Sequence, residues 1–169
     1  MAAPAAQLLT VHAVEVIKLE THRLISLLRG YGGSHEARFS REVPHELESP
    51  MLRAFKQLYR GLQAYHDVLD VDCVAYTAPF CAVLTAGDVS GVVTGMALAA
   101  LNKFLLYGFL SPHAPRAREA VNAIVASATQ CRFEPSSAAE DELVLLRLLE
   151  LLGHALRCGV GHEPGFLVI

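Results

Sequence analysis

The sequence has 169 residues, enough for one domain with a real core. Hydrophobic residues make up 53% of it and charged residues 18%, with a net charge of −3 and a pI near 6.2; together with the lack of any basic run, this excludes a nucleic-acid binder. A mean hydropathy of +0.35 is high for a free-standing domain and implies surface covered by a partner subunit or by further chain.

In chain order, Ala5–Arg29 reads as a first helix, with Leu8, Val11, Val14, Ile17, Leu24 and Leu27 at helical spacing and Gly30 at a natural C′ position. Tyr31–Glu46 has breakers and no period, so a loop is expected over about 30–48. Ser49-Pro50 is an N-cap followed by a proline at the first helical position, opening a second helix to about Leu69 with Leu52, Phe55, Leu58, Tyr59 and Leu62 inside. Asp70 or Asp72 caps a third helix through Ala86, which Pro79 is expected to kink or split. A fifth helix spans about Arg116–Thr129, with Val121, Ile124, Val125 and Ala128 buried. Ser136 or Ser137 caps a sixth over 138–157, where Arg147, Glu150, His154 and Arg157 form the one wet stripe among leucines; His162–Ile169 would begin another helix.

Between the third and fifth lies the stretch that sets the architecture, Ser90–Leu110. Gly91, Thr94, Gly95, Ala99, Asn102 and Lys103 share one narrow stripe of a helix, and the rest is almost wholly apolar. Val92–Leu110 is long enough to cross a membrane. Lys103 in its middle would cost roughly 2.5–3.5 kcal/mol there, and the flanks lack clustered basic residues. The expected setting is therefore the centre of a helical domain, with the stripe exposed as a contact surface. No stretch alternates with period two, so the fold class is all-α: six or more stacked antiparallel helices of armadillo or HEAT type, with no sheet.

Chemistry-bearing patterns are weak. Cys73, Cys81, Cys131 and Cys158 lack CxxC spacing, which suits buried thiols in a reducing, cytosolic setting. His154, Cys158 and His162 are spaced by four, as zinc ligands on one helix would be, but Gly159 and Gly161 interrupt that helix and no fourth ligand is near. Asp67, Asp70 and Asp72 lack the glycine and distal glutamate of a calcium loop, and Gly91–Gly95 lacks the ending of a phosphate loop. No catalytic residue, metal or cofactor is expected. The better leads are polar outliers in apolar helices. Lys103 either extends its stem along the surface or meets a carboxylate across an interface; Glu142 either complements the helix dipole or forms half of an intersubunit pair.

The stretches TAPFCAVLTAGDVSGVVTGMALAALNKFL (Thr77–Leu105) and AVNAIVASATQCRFEPSSAAEDELVLLRLLELL (Ala120–Leu152) resemble paired segments of a known family. That family is the N-terminal dimerisation and cyclophilin-binding (DCB) domain of the large Golgi exchange factors for Arf GTPases, in the branch of GNOM, the yeast Gea proteins and the Golgi brefeldin-A-resistance factor. Val92 departs from the family's usual proline, and Pro135-Ser136-Ser137 replaces an Asp-Pro-rich link. The resemblance implies a single DCB-type domain over 1–169, a fragment of a larger exchange factor whose catalytic part lies elsewhere. It implies homodimerisation and contact with the downstream homology domain of the same protein. It further implies a cytoplasmic, peripheral place on Golgi and early secretory membranes, with cyclophilin and Rab- or Arf-family GTPases as further partners. Lys103 and Glu142 match family contact positions; Thr94, Gly95 and Asn102 complete the candidate protein-interaction stripe. The alternative is a monomeric helical scaffold that binds a small GTPase or a tether.

Overall fold

A computed structural model describes residues 4–31, 48–135 and 137–158. The expected helix within 162–169 and the loop over about 30–48 fall largely outside the described residues. Six α-helices are described: α1 (Pro4–Tyr31), α2 (Pro50–Gly61), α3 (Cys73–Thr85), α4 (Gly91–Leu106), α5 (Ala117–Thr129) and α6 (Ala138–Arg157). The described residues contain no strand, only an isolated parallel bridge between Ser90 and Glu134. None of their helices is long and apolar enough to cross a membrane.

The helices form three hairpins stacked in layers. One row consists of α2, α3 and α5; the other of α1, α4 and α6, with α4 in the middle. The last two layers run in the same sense. The Cys73 amide donates to the Pro115 carbonyl at one end of α3 and the Arg132 amide to the Leu84 carbonyl at the other, so α3 and α5 are parallel. Gly95 lies against Val144, and Asn102 against Arg147 and His154, so α4 and α6 are parallel too. This is the stacked all-helical fold expected from two near-continuous apolar helices, each of which needs neighbours on several sides.

Local chemistry sets the helix ends. Ser49 accepts from the Leu52 amide and Pro50 opens α2. Asp72 caps α3 by accepting from the amides of Val74 and Ala75, and Ser137 caps α6 through the Glu140 amide. The central helix stops at Leu106 rather than Leu110, because Gly108 takes φ +71° and the Phe109 and Gly108 amides turn back to the carbonyls of Phe104 and Leu105. That is a Schellman end, and its usual apolar contact is here the stacked pair Phe104–Phe109.

Other boundaries also differ from expectation. α1 continues through Gly30 to Tyr31. α2 ends at Gly61, not Leu69; Leu62–Ala64 and Val68–Asp70 are separate 3-10 turns, because Tyr65 is extended and the Asp67 carboxylate binds the Leu69 amide in place of a helical partner. α3 is not split by Pro79. The carbonyl deprived of its donor is that of Ala75, at an exposed position where water can serve it.

The core lies between the two rows. Phe104 is fully buried there and meets Tyr76 and Phe80 edge to face, while Phe80 meets Phe55 in the same way. We expect Phe104→Ala to lower the unfolding free energy by about 3–5 kcal/mol in urea denaturation, because it opens a cavity among three aromatic partners, Tyr76, Phe80 and Phe109, and removes the apolar contact that closes α4.

Candidate functional site: an open groove over helix α4

The face formed by α1, α4 and α6 carries a groove of about 390 Å³. Its floor is the α4 stripe Gly91, Val92, Gly95, Met96, Ala99 and Lys103. Glu20 and Arg23 of α1 form one wall, and Glu140, Leu143, Val144 and Arg147 of α6 form the other. Small residues on α4 keep the floor low between two taller helices, so the recess follows from the sequence of that stripe.

The charged groups of the groove are arranged around a buried carboxylate. The side chain of Glu20 is only 3% exposed, and its Oε1 accepts from Lys103 Nζ at 2.6 Å and from Arg23 Nη1 at 2.8 Å. One anion thus holds two cations, both of which reach solvent. Arg147 donates from Nη1 to the Gly95 carbonyl at 2.7 Å, a neutral acceptor that leaves its charge uncompensated by that bond. Three cations and the carboxylates of Glu20 and Glu140 thus line the groove.

The predicted site residues divide between this groove and the α4–α6 contact. Lys103 lies in the groove and meets a carboxylate, but that carboxylate is Glu20 of its own chain. Gly95 lines the groove and is overlaid by α6: a Cβ there would stand 2.9 Å from Arg147 Nη1. Thr94 and Asn102 are not exposed as expected. Thr94 is fully buried, and its hydroxyl has no hydrogen-bond partner among the described residues. Asn102 is buried; its Nδ2 donates to the Arg147 carbonyl at 3.2 Å, and its Oδ1 lies 3.1 Å from His154 Nδ1, which must donate to it. The stripe is a contact surface, and much of that contact is with α6. Glu142 is exposed on the second turn of α6, where Glu140 and Asp141 rather than Glu142 occupy the first turn.

Sequence reasoning missed Glu20, the group around which the groove's charges gather. The available signal was its position: Ile17, Glu20, Thr21 and Leu24 lie on the same buried face of α1. It also misread α6. Of the expected wet stripe Glu150 and Arg157 are exposed, but Arg147 and His154 turn inward onto α4, and Leu143, Leu145, Leu146, Leu149 and Leu156 face solvent as well.

Elsewhere the reactive side chains serve the fold. Burial pushes the thiols of Cys73, Cys81 and Cys131 above their ordinary range, which keeps them protonated at neutral pH. His154 is engaged by Asn102, Cys158 approaches the Leu110 carbonyl, and His162 lies outside the described residues. Asp67 and Asp72 are helix caps.

This geometry defines a stacked-helix module with one recessed, charged face. Comparison with known proteins then gives its kinship. No family model matches the chain. Over 158 residues, 93% of its length, it is 29% identical to the Golgi-specific brefeldin A-resistance guanine nucleotide exchange factor 1 homolog of Caenorhabditis elegans. It is 31% identical to ARF guanine-nucleotide exchange factor 2 of Saccharomyces cerevisiae over 61% of its length, and 26% identical to ARF guanine-nucleotide exchange factor GNOM of Arabidopsis thaliana over 66%. The chain is a homologue of part of the large Arf guanine-nucleotide exchange factors, consistent with a DCB-type domain. It spans only 7–8% of the length of these curated relatives.

Replacing Glu20 by Gln keeps the shape of the groove and removes the charge that two cations share. We expect a loss of roughly 1–2 kcal/mol, modest because both cations can turn to water. A double-mutant cycle with Lys103→Met, followed by urea denaturation, should return a coupling of about 1 kcal/mol.

Proposed function

We propose that the chain is a non-catalytic regulatory domain of a large Arf exchange factor in Golgi vesicle trafficking. It mediates self-association and contact with the downstream homology domain of the same protein. The parent protein carries the exchange activity and sits peripherally on Golgi or early secretory membranes. The observation that carries this reading is the α1–α4–α6 face, on which a shaped, charged groove lies beside a row of exposed leucines and which no other described helix covers. Its homology to Arf exchange factors along most of its length supports the assignment to that pathway.

Within this reading Lys103 and Glu142 have different tasks. Lys103, tied to Glu20, fixes α1 against α4 and so sets the width of the groove. Glu142 stands free of that cluster on the exposed side of α6 and meets the partner directly.

Sedimentation equilibrium of the 169-residue chain tests the proposal. We expect a dimer for the unaltered chain and a shift towards monomer for Lys103→Ala combined with Glu142→Ala, with helical circular dichroism unchanged. An unaltered chain that sediments as a monomer would favour instead a monomeric scaffold for a small GTPase or a tether.

A further inference from the structure

We infer that the outer side of the first layer, α1 with α2, is a cationic face that lies against anionic phospholipid headgroups. The inference gives a surface to the peripheral membrane placement proposed above, and it does not depend on self-association.

This face is the free end of the stack. α2 packs on α1 and α3, and α1 on α2 and α4; no other described helix covers their outer side. Burial turns polar residues of both helices towards it. Leu52 and Phe55 point α2 into the core, which leaves Arg53, Gln57 and Arg60 exposed, with Lys56 beside them. On α1, Lys18, His22 and Arg29 follow one another at steps of four and seven. They lie on its α2 side, since the ring centres of His22 and Tyr59 are 5.9 Å apart.

Much of the positive charge here is unspent. Glu15 pairs with Lys18, and Glu48 with Lys56. Among the described residues Arg29, Arg53 and Arg60 form no ion pair. Five Lys and Arg side chains thus stand against two carboxylates, on a chain whose net charge is −3. Asp67 and Asp70 come past the end of α2, on the turns towards α3, where the Asp67 carboxylate accepts from the Leu69 amide. The opposite end of the stack has the reverse sign: α6 carries Glu140, Asp141, Glu142 and Glu150 against Arg147 and Arg157.

The make-up of the face selects its occupant. A specific protein interface centres on apolar side chains ringed by polar ones. Among the described residues α2 exposes no large apolar side chain, and α1 exposes Leu19 alone. Long cationic side chains reaching out from two adjacent helices suit instead a diffuse layer of negative charge, to which each Lys or Arg adds its own attraction. An anionic bilayer would hold the stack by its first layer, with the α4 groove on the flank and the α6 leucines at the far end.

The test is cosedimentation of the 169-residue chain with vesicles of phosphatidylcholine, either pure or with about one-third phosphatidylserine. We expect binding to the mixed vesicles only, falling as salt shortens the Debye length from about 10 Å at 0.1 M to about 3 Å at 1 M. Arg53→Gln with Arg60→Gln should weaken binding by roughly 30-fold, and Arg53→Glu with Arg60→Glu should abolish it, both with helical circular dichroism unchanged. Arg132→Glu with Arg157→Glu makes the same change of net charge away from the first layer and should leave binding within about twofold. A chain that ignores the mixed vesicles, or binds both kinds alike, overturns the inference. So does an equal loss in the Arg132 and Arg157 variant, which would report net charge rather than this face. Retention on immobilised polyglutamate without vesicle binding overturns it in favour of an acidic protein segment. None of these outcomes bears on the sedimentation test of self-association.

Discussion

The contact between α4 and α6 decides most of what this structure can do. α4 is buried on nearly every side, yet it carries Asn102 and presents the Gly95 carbonyl to its neighbour. Polar groups taken out of water need partners, and an unpaired one costs about 1–3 kcal/mol. α6 supplies them: the Arg147 guanidinium for Gly95, the Arg147 carbonyl for the Asn102 amide, and the His154 ring for the Asn102 oxygen. These bonds fix not only the distance between the helices but also the rotation of α6 about its own axis. Once Arg147 and His154 face inward, the leucines on the far side have nowhere to go but outward. Each leucine left in water forgoes roughly 1.5–3 kcal/mol of burial. The exposed row is thus a consequence of satisfying the polar seam, and a covering partner recovers what the isolated chain gives up.

The groove depends on the same contact from the other side. Arg147 reaches over Gly95 because no Cβ stands there; an added one would lie 2.9 Å from its Nη1. The small residues that bring α6 close also keep the floor low between α6 and α1. At the α1 wall, Glu20 draws Lys103 and Arg23 onto one carboxylate oxygen. A buried ion pair of this kind is weak evidence for stability, since desolvation offsets much of the attraction. Its clearer effect is positional: it holds α1 at a set distance from α4 and keeps Arg23 and Lys103 together at one wall of the groove.

Much of the fold was legible in the sequence because it rests on local signals. Ser49-Pro50 opens α2 as expected, Asp72 and Ser137, each one of two candidates, cap α3 and α6, and the absence of a period-two pattern agrees with the all-helical fold. The central apolar helix stood out by composition, although its end did not, since Gly108 and the Phe104–Phe109 contact override a continuous apolar run. The site was less legible for a specific reason. A periodic pattern identifies which residues share a face, but not whether that face meets water or another polar face. The stripes of α4 and α6 were each recognised, and each was assigned to the exterior; the structure joins part of one to part of the other, Asn102 to Arg147 and His154, and leaves Glu150, Arg157 and the groove floor open. Glu20 escaped notice because a glutamate on an apolar face is explained only by cations eighty-three residues away and three residues away, and the first of these is a tertiary fact.

The two open features of the α1–α4–α6 row suit different kinds of contact. The leucine row on α6 is long, apolar and nearly straight, which fits a helix laid alongside it. The groove is recessed and charged, which fits a side chain or a turn inserted into it. The groove is formed wholly within one chain around Glu20 and Lys103, on a different side of α6 from Leu145, Leu149 and Leu156, so what covers one surface need not exclude what fills the other.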